Sequence, residues 1–553
     1  MICILHGYLL EGSGSNLWTR SVVESLCRKG ETVHLMAQEN HPDRYPFIRE
    51  ARRYLPGGAV ETFHRADAAG YPGHCVLHKP ALGDTLPVYV WDRYEEFPNV
   101  VPMVELSDEQ MADYLEKNVA ALLRIVRDNG ITAMHANHAV LMSVVARRVS
   151  QATGVPFTIM PHGSALEYAV RRDDRYLRLA TDAFAAASRI FVIGSEMRGR
   201  VLSILGAVPG LSEKMCDLHL GVDTAQFEPV AREHRRDRIT RLRQTLAGMP
   251  RGRTPEQHQR MIGLLERQTA GGAIDRGELE RALAAGRGYN GKLPDAEVEA
   301  RMDAVPWERE PTLLYVGRLI SAKGVQEVVA ALPLLLERVP GLRLVLVGHG
   351  PLREPLEAML WALEHGARGM VEAIVAWGRA LEGSPEGEGE SEELTKVVRF
   401  FARLDARGEL DAYFDAARRH VRADRVVFTG YLTHRELRHL FPCCDVAVFP
   451  SVVKEAGPLV FLEALASGAF PMGTYFGGMK ASIDTVARDL PPGAAEPMKL
   501  DPDPERTVAD LVRHFPVALQ VGGRHKDALR TIARERFDWT SVTSTFAAEL
   551  RAL

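Results

Sequence analysis

The sequence predicts an α/β protein made of two doubly wound, parallel-sheet domains that carry helical insertions. Three observations point that way. Short apolar runs alternate with helix-patterned stretches in both halves, as repeated βαβ units require. The rhythm restarts after residue 310, following a long stretch without strand signals. The 553 residues are too many for one ordinary core and suit two such domains plus insertions.

In the first half the apolar runs are Ile2–Leu5, 33–36, 133–135, Phe157–Met160 and 190–193. A helix is predicted from Trp18 to Arg28, with Val22, Val23, Leu26 and Cys27 at helical spacing. Gly30 closes it, because glycine adopts the left-handed conformation at little cost. The second half has strong strand patterns at Thr312–Val316 and 342–347, then 426–429 and Val446–Phe449, and a weaker one at 470–473. The domains are therefore expected at 1–230 and 310–536. Residues 231–309, rich in Arg, Glu, Gln and Ala at helical spacing, read as a helical insertion. A second insertion at 364–422 holds the acidic run Glu382-Gly-Ser-Pro-Glu-Gly-Glu-Gly-Glu-Ser-Glu-Glu, a solvated connection. Neither carries recognisable chemistry. Ligands of doubly wound sheets sit beyond the carboxyl ends of the strands, so chemistry is expected in a cleft between facing halves.

Composition removes several classes. Lys plus Arg number 68 against 72 Asp plus Glu, a net charge of −4; a dedicated nucleic-acid binder would show a strong basic excess. The six cysteines, at 3, 27, 75, 216, 443 and 444, lack the spacing of a metal knuckle or redox motif and read as buried thiols of a reducing compartment. The opening apolar run is too short for a signal peptide, and no run approaches the length of a membrane span. A cytoplasmic location is expected, with peripheral membrane contact left open.

Three segments carry the chemistry. Ser451-Val-Val-Lys-Glu-Ala-Gly-Pro-Leu-Val-Phe-Leu-Glu-Ala-Leu-Ala-Ser-Gly follows a strand and spaces Glu455 and Glu463 eight positions apart. Glu455 is expected in the loop before a helix and Glu463 about two turns into it. The helix start offers unpaired N–H groups to sugar hydroxyls or phosphate, and each carboxylate can accept two hydroxyl hydrogens. Next, Leu313-Leu-Tyr-Val-Gly-Arg-Leu-Ile-Ser-Ala-Lys-Gly places Gly317, Arg318 and Lys323 after a strand, where two cations can neutralise a diphosphate. Third, Leu344-Val-Leu-Val-Gly-His-Gly-Pro ends a strand in Gly348-His349-Gly350, a turn that lets a ligand approach the backbone.

In this order and spacing the three segments resemble the retaining glycosyltransferases of family four, the glycosyl transferases group one, which have the GT-B fold of two facing Rossmann-like domains. Phe428-Thr-Gly-Tyr-Leu, with Tyr431 and Leu432, is similar to the family segment whose backbone flanks the nucleotide base. Glu11-Gly-Ser-Gly-Ser-Asn, with Gly12, Ser13 and Gly14, is similar to its acceptor-side glycine loop, and Pro161-His162-Gly163 to its active-site histidine. Gly221-Val-Asp-Thr resembles the domain linker. The segment 534–539 and a helix at about 537–553 resemble the last helix, which crosses back to the first domain.

The resemblance implies that Arg318 and Lys323 hold the donor diphosphate, Glu463 the ribose, and Glu455 and His162 the transferred sugar. It places Gly457, Leu459 and Val460 beside the donor, and implies a nucleotide diphosphate sugar as co-substrate, no other cofactor and no catalytic metal. His135, Asn137, Arg171 and Arg172 lie at acceptor-side positions and are equally readable as structural or solvated residues. One departure is Ala456-Gly457-Pro458: proline lacks an N–H, so a backbone donor is missing at 458. The double glycine of Phe476-Gly-Gly-Met-Lys is kept.

Two other classes compete. A GT-B epimerase would need further acid–base residues, and a phosphorylase a pyridoxal lysine, for which there is no signature. A non-catalytic nucleotide-sugar scaffold has only the Gly457-Pro458 departure in its favour. The donor base and the acceptor (sugar, lipid or small molecule) are not legible, the latter depending on loops such as 39–69 and 73–101; nor is the oligomeric state.

Overall fold

In the computed structural model, which describes residues 1–11, 14–67, 70–89, 97–287, 292–382, 391–455 and 457–553, the chain divides into two units. One is Met1–Gly221 with Arg536–Leu553, the other Val222–Glu535. Residues 222–230, assigned to the first domain by sequence, thus fall with the second unit, as do the helices of 231–309.

The first unit has strands Ile2–Leu5 (β1), Thr32–Met36 (β2), Ile48–Tyr54 (β3), Val60–Arg65 (β4), His74–Pro80 (β5), Thr85–Val88 (β6), Asn99–Pro102 (β7), Ala133–Asn137 (β8), Phe157–Met160 (β9), Arg189–Val192 (β10) and Met215–Asp217 (β11). Nine of them form one sheet in the order β11-β10-β9-β8-β1-β2-β5-β3-β4, and β6 pairs with β7. β1 is wholly buried between β2 and β8 in parallel register, which is why it reads as an unbroken apolar run. The chain leaves β1 on one side and returns as β8 on the other, so a crevice opens at their carboxyl ends. β3 and β4 are a surprise in a region expected to be loop. They pair antiparallel, β4 at the sheet edge, and their Arg- and Glu-rich sequences lack an apolar signature because much of their surface is solvated.

The helix Trp539–Arg551 belongs to this unit and packs on the helix Gly14–Arg28. Ser25 Oγ lies 2.9 Å from Thr543 Oγ1, Phe546 meets Trp18 edge-on at 5.8 Å, and Gly221 lies so close to Trp539 that an added Cβ would come within 2.3 Å of its ring.

The second unit has strands Thr312–Val316 (β12), Arg343–Val347 (β13), Val426–Gly430 (β14), Val446–Phe449 (β15), Phe470–Thr474 (β16) and Lys499–Leu500 (β17), all parallel, in the order β14-β13-β12-β15-β16-β17. Strand order reverses between β12 and β15, directing a second crevice to their carboxyl ends. Both insertions belong to this unit. The first contributes the helices Arg235–Leu246, Pro255–Ala270, Arg276–Gly286 and Val298–Asp303, the second Arg368–Leu381, Thr395–Ala406 and Leu410–His420. Most of the acidic run, 383–390, lies outside the described residues.

Between its helices the first insertion sends a strap, residues 293–295, along the free edge of β14. Asp295 N donates to Thr429 O at 2.8 Å and Tyr431 N to Leu293 O at 2.9 Å. No helix of the described residues is long and apolar enough to cross a membrane.

Candidate functional site

At the crevice of the second unit four loops meet. Gly317 N donates to Val347 O at 3.1 Å, Leu319 N to His349 O at 2.8 Å and Gly348 N to Gly430 O at 2.9 Å, tying together the ends of β12, β13 and β14. Such packing demands glycine: Gly348 has φ 146° and a Cβ there would lie 1.8 Å from Gly317 O, while at Gly350, φ 153°, it would meet Leu319 O at 2.4 Å. On the other side, Val452 N donates to Ala322 O at 2.9 Å, joining the loop after β15 to the loop after β12. Gly478 N donates to Glu455 O at 2.8 Å, so the retained double glycine supports the first glutamate.

These loops place the predicted side chains. Lys323 Nζ forms an ion pair with Glu455 Oε1 at 2.9 Å, both side chains more than two-thirds buried. Arg318 is exposed at the rim, and its carbonyl oxygen is fixed by the buried Tyr315 hydroxyl at 3.0 Å. Behind them, burial raises the Glu327 carboxyl to about 7. His349 is half-buried, its ring against that of Tyr431 at 5.2 Å; burial, then the Lys292 and Arg318 cations, disfavour its protonation.

The helix after Glu455 begins only at Leu459, with Pro458 as its N-cap, so Glu463 stands little more than one turn in rather than two. Glu463 is buried, with Oε1 2.7 Å from His434 Nδ1 and Oε2 without a hydrogen-bond partner among the described residues. A buried orphan carboxylate oxygen next to half-exposed Leu459 and Val460 is suited to a ligand hydroxyl. No spacing rule points to His434, which reaches Glu463 from the start of a preceding helix, His434–Leu440. Phe428 and Leu432 point into the interior, Phe428 under the Arg353 guanidinium at 3.7 Å. The segment offers its backbone and the half-buried Tyr431 ring, and the strap already uses part of the backbone.

The first unit gathers its groups at the ends of β1, β8 and β9. His162 Nε2 lies 3.1 Å from Asn137 Oδ1, Asn137 Nδ2 donates to Thr19 Oγ1 at 2.8 Å, and Thr19 Oγ1 lies 3.1 Å from His6 Nδ1. His6 Nε2 meets the Leu9 carbonyl at 3.2 Å and Asn16 Oδ1 at 3.0 Å. A carbonyl can only accept, so His6 carries its proton on Nε2. The Asn137 amide gives its N–H to Thr19 and its oxygen to His162. His162 is therefore also protonated on Nε2, with Nδ1 left as an acceptor. Burial holds both rings neutral, His6 down to about 4 and His162 down to about 3.

His138 packs 4.8 Å from His162, both its ring nitrogens buried without a hydrogen-bond partner among the described residues. Both histidines have positive φ, 74° and 48°, backbone strain of the kind that clusters at functional sites.

The other acceptor-side expectations fare unevenly. His135 is a core residue, buried against Phe546 and hydrogen-bonded to Thr158 at 2.7 Å, so it offers nothing to a ligand. Arg171 pairs with Glu167 at 2.9 Å and Arg172 lies over the Tyr168 ring, both on a solvated face. Gly14 starts its helix with open space around it; Gly12 and Ser13 lie outside the described residues, as does Ala456. Among the described residues no three His, Cys, Asp or Glu side chains come together to hold a metal ion.

Comparison with known proteins supports a glycosyltransferase. Residues 298–372 and 394–496 match two family profiles, each described as glycosyl transferases group 1. A glycogen synthase of Mycobacterium tuberculosis is 28% identical over 244 residues, 42% of this chain and 41% of that protein. An uncharacterized glycosyltransferase of Methanocaldococcus jannaschii is 26% identical over 174 residues, 32% of this chain and 30% of that protein. The matches thus span 41% and 30% of the length of these curated relatives. Anabaena HepE, solved in complex with UDP, superposes with a TM-score of 0.51 at 14% identity, covering all of both chains. The N-terminal domain of a Candida albicans trehalose-6-phosphate phosphatase gives 0.50 at 12% identity, over all of this chain and 96% of that one. The fold is GT-B, with two Rossmann-like α/β domains.

Proposed function

We propose that the protein is a retaining, metal-independent glycosyltransferase that moves a hexose from a nucleotide diphosphate sugar to a hydroxyl acceptor. The observation that carries this reading is the convergence, at the carboxyl ends of β12, β13 and β15, of Arg318, the Lys323–Glu455 ion pair and buried Glu463 around glycine turns. Arg318 and Lys323 receive the diphosphate, and Glu463 offers its free Oε2 to a ribose hydroxyl. In the transfer, the bond between the anomeric carbon and the diphosphate oxygen breaks with its electrons on the leaving group. The acceptor oxygen bonds to the same face, and its proton passes to the departing phosphate oxygen. The two cations disperse the developing negative charge. Glu455, its second oxygen free of Lys323, accepts from the sugar's hydroxyls. Pro458, with no N–H to give, passes the backbone contact on to Leu459 and Val460. The expected location is the cytoplasm.

The test is thermal stability with saturating UDP, GDP or ADP, on the wild type and Arg318→Ala. Ligand at 100 times its dissociation constant stabilises the native state by about 2.7 kcal/mol. One diphosphate should raise the melting temperature of the wild type, and by about half as much or less that of Arg318→Ala; its sugar conjugates can then be screened for transfer, with NMR of the product's anomeric proton. An inverted product excludes the retaining mechanism, activity lost to chelation excludes metal independence, and no shift with any diphosphate, alone or with acceptors, excludes the donor class.

A further inference from the structure

We propose that Lys292, on the first helical insertion, reads the donor's nucleotide base and selects one with a carbonyl oxygen, uracil or guanine, over one with an amino group there. The inference rests on the donor reading above and names the base class it leaves open.

The insertion looks peripheral by sequence, yet its strap is built into the donor crevice. Pro294 bridges Gly430 in antiparallel fashion, flanked by the Asp295–Thr429 and Leu293–Tyr431 hydrogen bonds. Gly430 has φ 70° and a Cβ there would lie 2.6 Å from Asp295 N and Leu293 O, so the two backbones are in close approach. The strap is rigidly seated: Asp295 Oδ2 is 2.8 Å from the buried Arg353 guanidinium, which also pairs with Glu357 at 3.1 Å and covers the Phe428 ring. Gly252 N and Arg253 O hold Pro294 O and Ala296 N at 2.8 and 2.9 Å.

The strap therefore occupies backbone groups of the segment that, by its resemblance to the family, flanks the base. What it presents in exchange is Lys292, one residue before Leu293 and exposed. Its charge, like that of Arg318, reaches His349, whose ring lies against Tyr431 beside the strap's hydrogen bond to Tyr431 N. An ammonium has three donors and no acceptor. It matches uracil O4 or guanine O6 and mismatches the amino groups of cytosine and adenine, which are themselves donors.

Calorimetric titration of the full chain with UDP, GDP, CDP and ADP tests this on the wild type, Lys292→Met and Lys292→Arg. The wild type should bind UDP or GDP at least roughly tenfold more tightly than CDP and ADP, the range of one charge-assisted hydrogen bond. Lys292→Met should bring the four within about threefold of one another by weakening the favoured one, and Lys292→Arg should keep the order. A Met variant with unchanged preference overturns the inference. So does a wild type that prefers ADP or CDP, or an equal loss across all four, which would mark a phosphate contact. A wild type that binds none of them overturns the donor reading itself, and the inference with it.

Discussion

Replacing Lys323 by methionine keeps the length and apolar stem of the side chain and removes one charge. In the free protein that charge neutralises Glu455 at 2.9 Å, with both side chains largely withdrawn from water. Two penalties on diphosphate binding follow. The lost charge-assisted contact to phosphate costs about 1.5–3 kcal/mol. The uncovered Glu455 carboxylate then repels the incoming anion, by about 1 kcal/mol at 4 Å even with water-like screening. Together they predict a dissociation constant raised roughly 10²–10³-fold. Arg318→Ala loses an exposed cation and uncovers no anion, so its effect should be the smaller, roughly 10–30-fold. The separating variant is Lys323→Met with Glu455→Gln, which should bind about fivefold more tightly than Lys323→Met alone. Isothermal titration of the diphosphate that the wild type binds reads all four proteins. A Lys323→Met protein within fivefold of wild type, or a double variant no tighter than the single, refutes the idea that the pair is poised for phosphate.

Three further outcomes are expected. His6 and His135 are buried and His162 is partly so, and desolvation holds all three neutral, with pKa values of about 4, 3 and 3, below their unfolded value of 6.5. The unfolded state therefore takes up protons first as pH falls, and the N-terminal unit loses stability from pH 6.5 downward, by about 1.4 kcal/mol per pH unit for each histidine; a urea midpoint equal at pH 7 and pH 5.5 would contradict this. Gly348→Ala should cost about 3 kcal/mol or more and weaken diphosphate binding, because the methyl meets Gly317 O; Gly57→Ala, also at positive φ but in open space, should cost about 1 kcal/mol, both read by chemical denaturation. Asp295→Ala removes one of the two buried carboxylates paired with Arg353 and should destabilise the C-terminal unit by about 1–3 kcal/mol, seen as an earlier transition for that unit in calorimetry.

The sheet skeleton was largely legible because its central strands are buried on both faces. Thr312–Val316, Val446–Phe449 and Phe157–Met160 stand in the structure with the limits their apolar runs gave. β3 and β4 were not legible, since the edge strand and its charged neighbour are partly solvated and carry no such run. At the site, Arg318, Lys323, Glu455 and Glu463 announce themselves because each follows a strand or glycine turn at short range. His434 and the 293–295 strap do not, because their roles come from tertiary pairing with residues 29 and about 135 positions away. His135 misled for a related reason: it shares a strand with Asn137, but packs into the core, while the crevice takes what comes after the strand end.

The N-terminal unit is assembled from both ends of the described chain, with Trp539 filling the space over Gly221 and Phe546 set against Trp18 and His135. This fixes an order of events during synthesis. When residue 221 leaves the ribosome, the sheet that carries His6, Asn137 and His162 still lacks the helix that covers Trp18. More than 300 residues must be added before that helix exists, some tens of seconds at roughly 5–20 residues per second. The intervening unit is complete first and can fold while the earlier one waits with an open apolar groove. A nascent chain that has emerged as far as residue 535 would thus already have its cation-bearing crevice, while the sheet that bears its histidine cluster would still lack the helix that covers Trp18.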